Sequence, residues 1–159
     1  MKLVLISLFS ISLVLGAIPP DTPQTSQRST WFPCVMTRYS TPLKLGCVLG
    51  ISKNYLQGHQ QFHGPFFQLE PGFGGGKINV GYRAGAYSFL PLFNIGLSGS
   101  LLHTWGNPLG DIEPNQTYAG LELSGALYML GLNSGVFHHI AGDDNQHDWI
   151  ITIGAGAGF

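Results

Sequence analysis

The twelve residues "DWIITIGAGAGF" (148–159) decide the fold. Trp149, Ile151, Ile153, Ala155, Ala157 and Phe159 are all apolar, while Thr152, Gly154, Gly156 and Gly158 alternate with them and Ile150 is the exception. A period of two belongs to a β-strand, whose successive side chains point to opposite faces. The same pattern runs back along the chain. From Trp31 onward it predicts eight strands, about 31–39, 43–52, 65–73, 76–84, 87–104, 117–128, 131–140 and 148–159. Turn chemistry separates several of them: "FGGGK" (73–77), "RAGAY" (83–87), "LGLNSG" (130–135) and "AGDDNQ" (141–146).

The faces are clearest in three stretches. In "LKLGCVLGI" (43–51), Leu43, Leu45, Cys47, Leu49 and Ile51 oppose Lys44, Gly46, Val48 and Gly50. In "KINVGYRA" (77–84), Ile78, Val80, Tyr82 and Ala84 oppose Lys77, Asn79, Gly81 and Arg83. In "TYAGLELSGAL" (117–127), Ala119, Leu121, Leu123 and Leu127 oppose Tyr118, Gly120, Glu122 and Ser124. Between 87 and 104 the contrast blurs, because Leu90, Leu92 and Leu102 fall on the polar side. Pro71 and Pro91 each remove a ladder donor from a predicted strand.

Composition sets the surroundings. "MKLVLISLFSISLVLGA" (1–17) is one Lys followed by an apolar run too short for a spanning helix, and is expected to be a cleaved signal peptide. Residues 18–30, rich in Pro, Ser and Thr, are expected to form a flexible lead-in, and 31–159 the single β domain. Charged residues make up only 9% of the chain, against about 25% in an ordinary globular protein. A net charge of −1 offers no basic field to hold nucleic acid.

Alternation alone does not say which face is wet: a soluble barrel hides its apolar face, and a membrane barrel turns it to lipid. The polar face here is mostly Gly, Asn, Ser and Thr, which suits a narrow interior better than a solvated exterior. Its charges nearly balance, Lys44, Lys77 and Arg83 against Glu70 and Glu122, and are expected to pair inside the barrel. The remaining acids gather in two loops, Asp111 with Glu113, and Asp143, Asp144 with Asp148. The expected fold is therefore all-β, a closed antiparallel up-and-down transmembrane barrel of eight strands. Connections 40–42, 73–76, 105–116 and 141–147 fall at one rim and 53–64, 85–86 and 129–131 at the other.

On these residues the chain resembles the small outer-membrane β-barrel proteins of Gram-negative bacteria. The resemblance covers 31–159 and is to a class rather than to a family of known activity. It implies export to the outer membrane, a lipid bilayer around the barrel, and recognition of the last strand by the barrel-insertion machinery. Phe159 stands at the terminal place of that insertion signal, Ala157 two residues before it, and Gly154 where the class often has Gly. Ala157 and Ile153 depart from the pattern, which favours a large apolar and a polar residue there. The implied role is structural or interactional, with an unidentified extracellular partner for the loops and with no cofactor or metal.

Other constellations carry competing readings. Cys34 and Cys47 come opposite each other if the first hairpin turns on Ser40 and Thr41, so that Tyr39 meets Pro42; a disulfide and two free thiols are both open. His59 and His63 are spaced for a helix face, and His138 and His139 point opposite ways on a strand. His147 lies among Asp143, Asp144 and Asp148, a weak cation loop or a solvated acidic one. A membrane-embedded lipid hydrolase or acyltransferase is the alternative function, with Ser124 or Ser134, His138 and Glu122 as its candidates. An exported soluble barrel holding an apolar ligand is a third.

Overall fold

The alternation becomes eight antiparallel strands, with ends displaced from those expected. The computed structural model describes residues 29–57, 60–86, 93–142 and 147–158. The strands are β1 (Ser29–Ser40), β2 (Lys44–Gln57), β3 (Gln61–Gly72), β4 (Gly75–Ala86), β5 (Phe93–Thr104), β6 (Thr117–Leu127), β7 (Leu130–Ala141) and β8 (Trp149–Gly158). Each pairs with the next, and β1 pairs with β8 from Met36↔Gly158 to Ser40↔Gly154. The sheet thus closes into an up-and-down ring through a seam of five residue pairs, and Ser29–Val35 of β1 lie beyond that seam. The expected signal peptide lies outside the described residues, as does most of the lead-in. Ser29 and Thr30, expected in the lead-in, are already strand, in register with Tyr55 and Asn54.

Two expectations about the first hairpins are corrected. The long connection 53–64 is instead strand on both sides, since Gln57 pairs with Gln61. Its residues hid this because they lack an apolar outer face: Lys53, Tyr55 and His63 point outward while Phe62 is buried inside. The first turn is Thr41, Pro42 and Leu43, pairing Ser40 with Lys44 rather than Tyr39 with Pro42. Partner numbers then sum to 84 instead of 81. This odd shift sends every residue of one strand to the other face relative to its expected partner.

The distribution of burial is inside out for a protein in water. Leu121, Ile151 and Ile153 are 62%, 69% and 63% exposed, whereas Arg38, Glu70, Lys77 and Glu122 are at most 4% exposed. Apolar outward residues form a continuous band around the ring. On β5 it runs from Phe93 to Leu101, eight residues apart. That is about 26 Å along a strand, or about 20 Å along the axis of a ring whose strands tilt by roughly 40°.

Inside, the ring is layered. At the end formed by connections 41–43, 73–74 and 105–116, Leu43, Leu102, Tyr118, Phe137 and Ile150 make an apolar plug with Ile112 packed against it. Large residues on the polar side of β5 and β6 are thereby explained. Thr104 ties the long loop down, its hydroxyl donating to Glu113 O at 2.7 Å and accepting from Gln116 N at 3.0 Å. Leu109 N donates to Pro42 O at 2.9 Å, so the loop crosses the mouth of the ring. The opposite end, where β2, β4 and β6 finish at Gln57, Ala86 and Leu127, holds a cavity of about 260 Å³ instead of a plug.

Candidate functional site

Beneath the plug, four charged side chains from four strands meet across the lumen. Glu70 on β3 and Lys77 on β4 are cross-strand partners, which follows from the tight turn at Phe73 and Gly74. Arg38 reaches in from β1 and Glu122 from β6. Arg38 Nη1 lies 2.9 Å from Glu70 Oε2 and 3.6 Å from Glu122 Oε1. Lys77 Nζ lies 3.0 Å from Glu70 Oε2 and 2.5 Å from Glu122 Oε2. Ser40 donates to Glu70 Oε1 at 3.0 Å, giving that carboxylate a third donor. The group is a quartet of alternating sign with no net charge. Each ion touches two opposite charges, the arrangement that makes ionic groups tolerable out of water.

Close approach of β8 to β1 lets Arg38 and Ser40 enter the lumen. A Cβ on Gly154 would lie 2.5 Å from Asn133 Oδ1 and 2.6 Å from the Ser40 Cβ, so this position has no room for a side chain.

Of the expected interior charges, the structure brings Glu70, Lys77 and Glu122 together and leaves Lys44 and Arg83 elsewhere. Lys44 opens β2 with φ 62° beside Ser40, in the half-buried border of the loop end. Arg83 faces the cavity, bonds the Ser52 hydroxyl and lies over the Phe62 ring at 5.8 Å. Arg38 was missed. Its signal was available: with Val35 and Tyr39 outward, residues 34, 36, 38 and 40 must face in.

The cavity behind the quartet is a blind vestibule. Phe32, Cys34, Met36 and Phe62 form apolar wall, and Arg38, Asn54, Gln68, Arg83, Asn94 and Ser124 supply polar groups. Asn54, 1% exposed, has an Oδ1 without a hydrogen-bond partner there. Cys34 points into this space and Cys47 lies on the outward register, with Gly50 and Thr37 as their respective partners. The two cysteines are free thiols, which corrects the expected facing pair; the longer turn put them on opposite faces.

The lipid-enzyme candidates do not converge. Ser124 is on the inward register, its hydroxyl donating to Gly96 O at 3.4 Å, while Ser134 and His138 are exposed on the outer wall. Glu122 is committed to the quartet. His138 stacks edge-on against Trp149 at 4.6 Å, and His139 turns inward to Gln116 Oε1 at 2.8 Å. His59, Asp143 and Asp144 lie outside the described residues, and among those described no group of three or more metal-ligating side chains forms. Gly154 and Ala157 of the expected insertion signal face inward and outward respectively, and Phe159 lies outside the described residues. Comparison of the chain with known protein families, with characterised proteins and with solved structures gives no match.

Proposed function

We propose that the chain is an outer-membrane β-barrel, closed inside, whose role is structural or interactional and whose longer loops face the exterior. The observation that carries this reading is the inversion of burial: an ionic quartet at the axis and a band of Leu, Ile, Val and Phe on the outside. Such a wall in water would be a very large apolar patch, far beyond the few hundred Å² that soluble monomers usually expose. In lipid it is the solvent-matched surface, and pairing of each strand with the next satisfies most strand hydrogen bonds within the ring. The band's height of about 20 Å on β5 approaches the belt of about 25 Å that such barrels present. Aromatic side chains border it, Tyr39, Trp105 and Trp149 at the loop end and Trp31 and Phe93 at the turn end.

A soluble barrel holding an apolar ligand needs an apolar interior, and the quartet and its surrounding Ser, Asn and Thr residues occupy that place. Plug and quartet together argue against passage of solutes. On this reading the turn end faces the periplasm and the plugged end the outside, with Asp111, Glu113 and Asp148 there for a partner to meet.

The test is fractionation of cells expressing the protein, followed by gel migration of the detergent-extracted band with and without boiling. The reading expects outer-membrane recovery and a mobility that changes on heating. Recovery in the soluble fraction without detergent refutes it.

A further inference from the structure

Charged side chains on the described strands nearly all point inward. Arg38, Glu70, Lys77, Arg83 and Glu122 do so, and Lys44 opens its strand on the inward register opposite Ser40. Lys53 is the exception. It stands on the outer wall at the turn end, in direct register with Trp31 of β1.

The surroundings of Lys53 are unusual for a surface lysine. Its Nζ lies 5.8 Å from the centroid of the Trp31 ring and 5.4 Å from that of Tyr55. Tyr55 is in register with His63 of β3, the rings 5.8 Å apart. His63 Nδ1 is hydrogen-bonded to the hydroxyl of Tyr82 on β4. Five side chains from four consecutive strands thus form one belt of an ammonium, an imidazole, an indole and two phenols. All can donate hydrogen bonds and none is acidic. Among the described residues Lys53 makes no ion pair.

We propose that this belt binds the phosphodiester of a glycerophospholipid in the leaflet at the turn end, with Lys53 supplying the charge. The site rests on the membrane reading above and names a ligand for it. In that setting Trp31, Lys53, Tyr55 and His63 stand where the apolar band ends, and Tyr82, in register with Leu97, joins them from the wall through His63. There a lysine stem lies along apolar wall and its head reaches the interface, while Trp and Tyr rings sit at headgroup depth. The anion present there at high local concentration is lipid phosphate. An acidic headgroup, of the phosphatidylglycerol type, is preferred over one whose own ammonium competes with Lys53. The two ends differ in sign: the loop end carries Asp111, Glu113 and Asp148 in its connections, so the same lipid is not favoured there.

The test is native mass spectrometry of the detergent-solubilised protein titrated with phosphatidylglycerol and phosphatidylethanolamine of identical chains. It compares wild type, Lys53→Gln and, as control, Lys44→Gln. The wild type is expected to retain one phosphatidylglycerol in preference to phosphatidylethanolamine. Lys53→Gln should weaken that retention about fivefold, the effect of one interfacial lysine, and Lys44→Gln should leave it unchanged. Tyr82→Phe, which removes one donor and leaves the charge, should lose less. Equal retention by wild type and Lys53→Gln overturns the site. Insertion into vesicles of both lipids is measured in parallel: a protein that inserts but shows no Lys53 dependence loses only this site. One that never inserts loses the membrane reading with it.

Discussion

Replacing Lys77 by Met removes one corner of the quartet without shortening the side chain greatly. Glu70 and Glu122 then share Arg38 alone, 2.9 and 3.6 Å away. At an effective dielectric constant of about 20, the lost contacts at 3.0 and 2.5 Å are worth roughly 12 kcal/mol of gross attraction. Much of that is offset, because the lysine no longer has to leave water and the methionine packs without charge. What remains is the cost of an uncompensated buried carboxylate, about 3–5 kcal/mol. The assay is urea unfolding of the vesicle-reconstituted protein followed by tryptophan fluorescence. With a slope near 2 kcal/mol/M the midpoint should fall by about 1.5–2.5 M. The double variant Lys77→Met/Glu122→Gln restores neutrality and keeps the Arg38–Glu70 contact. It should therefore cost at least about 2 kcal/mol less than the sum of its single variants. A single-variant loss under about 1 kcal/mol, or strict additivity, would mean that water screens these groups, and the closed interior would be refuted.

Three further outcomes test other parts of the structure. Leu97→Lys, at the middle of β5 on the outer wall, should destabilise the protein in a bilayer by about 2–4 kcal/mol, while Phe93→Lys at the strand end costs about 0–1 kcal/mol; equal small effects in the same unfolding assay would argue against lipid contact. Alkylation of the folded, unreduced protein should modify both cysteines, Cys47 by an apolar maleimide and Cys34 by a small polar one entering the vestibule; an intact mass two hydrogens short with no alkylation would overturn the free thiols. Gly154→Val pushes a side chain against Asn133 and Ser40 and should cost about 1–3 kcal/mol or more by overpacking, seen as a smaller folded fraction on an unboiled gel; full retention of the folded band would show that the β1–β8 seam is looser than described.

How much was legible depended on the contrast between the two faces of each strand. Where the band is apolar outside and small or polar inside, as in 76–84, 117–128 and 148–159, alternation located strands to within a few residues. It failed at 53–64 because those residues extend past the apolar band, where the outer side chains are Lys53, Tyr55 and His63 and the inner ones include Phe62 and Phe66. Hydrophobic pattern carries no register information there. The first hairpin went wrong through its turn. Leu43 looked like the start of an apolar outer face, yet it folds over the rim as part of the plug, which lengthens the turn and flips the parity between β1 and β2. The expected juxtaposition of Cys34 with Cys47 and the omission of Arg38 follow from that single slip. Tyr118 and Leu102 broke the pattern for the opposite reason, since a plug requires apolar side chains on the face that elsewhere is polar.

The plug and the vestibule make the two ends of the ring unequal, and this constrains what each end can do. A molecule arriving from the loop end meets Ile112 packed on Leu43, Leu102, Tyr118, Phe137 and Ile150, and below them a quartet whose contacts span from β1 to β6. To pass, it would have to displace an apolar cluster and then separate ions held at 2.5–3.6 Å, each step costing several kcal/mol. Recognition at that end is therefore confined to loop surfaces, whose described charges are acidic. At the turn end the cavity stops at the quartet, so a guest there is held rather than transmitted. The outer wall adds its own asymmetry, since among the described residues its single Lys or Arg on a strand, Lys53, stands at the turn end. On the membrane reading proposed above, that charge pattern would favour the turn end as the one that meets phospholipid headgroups, independently of what the interior contains.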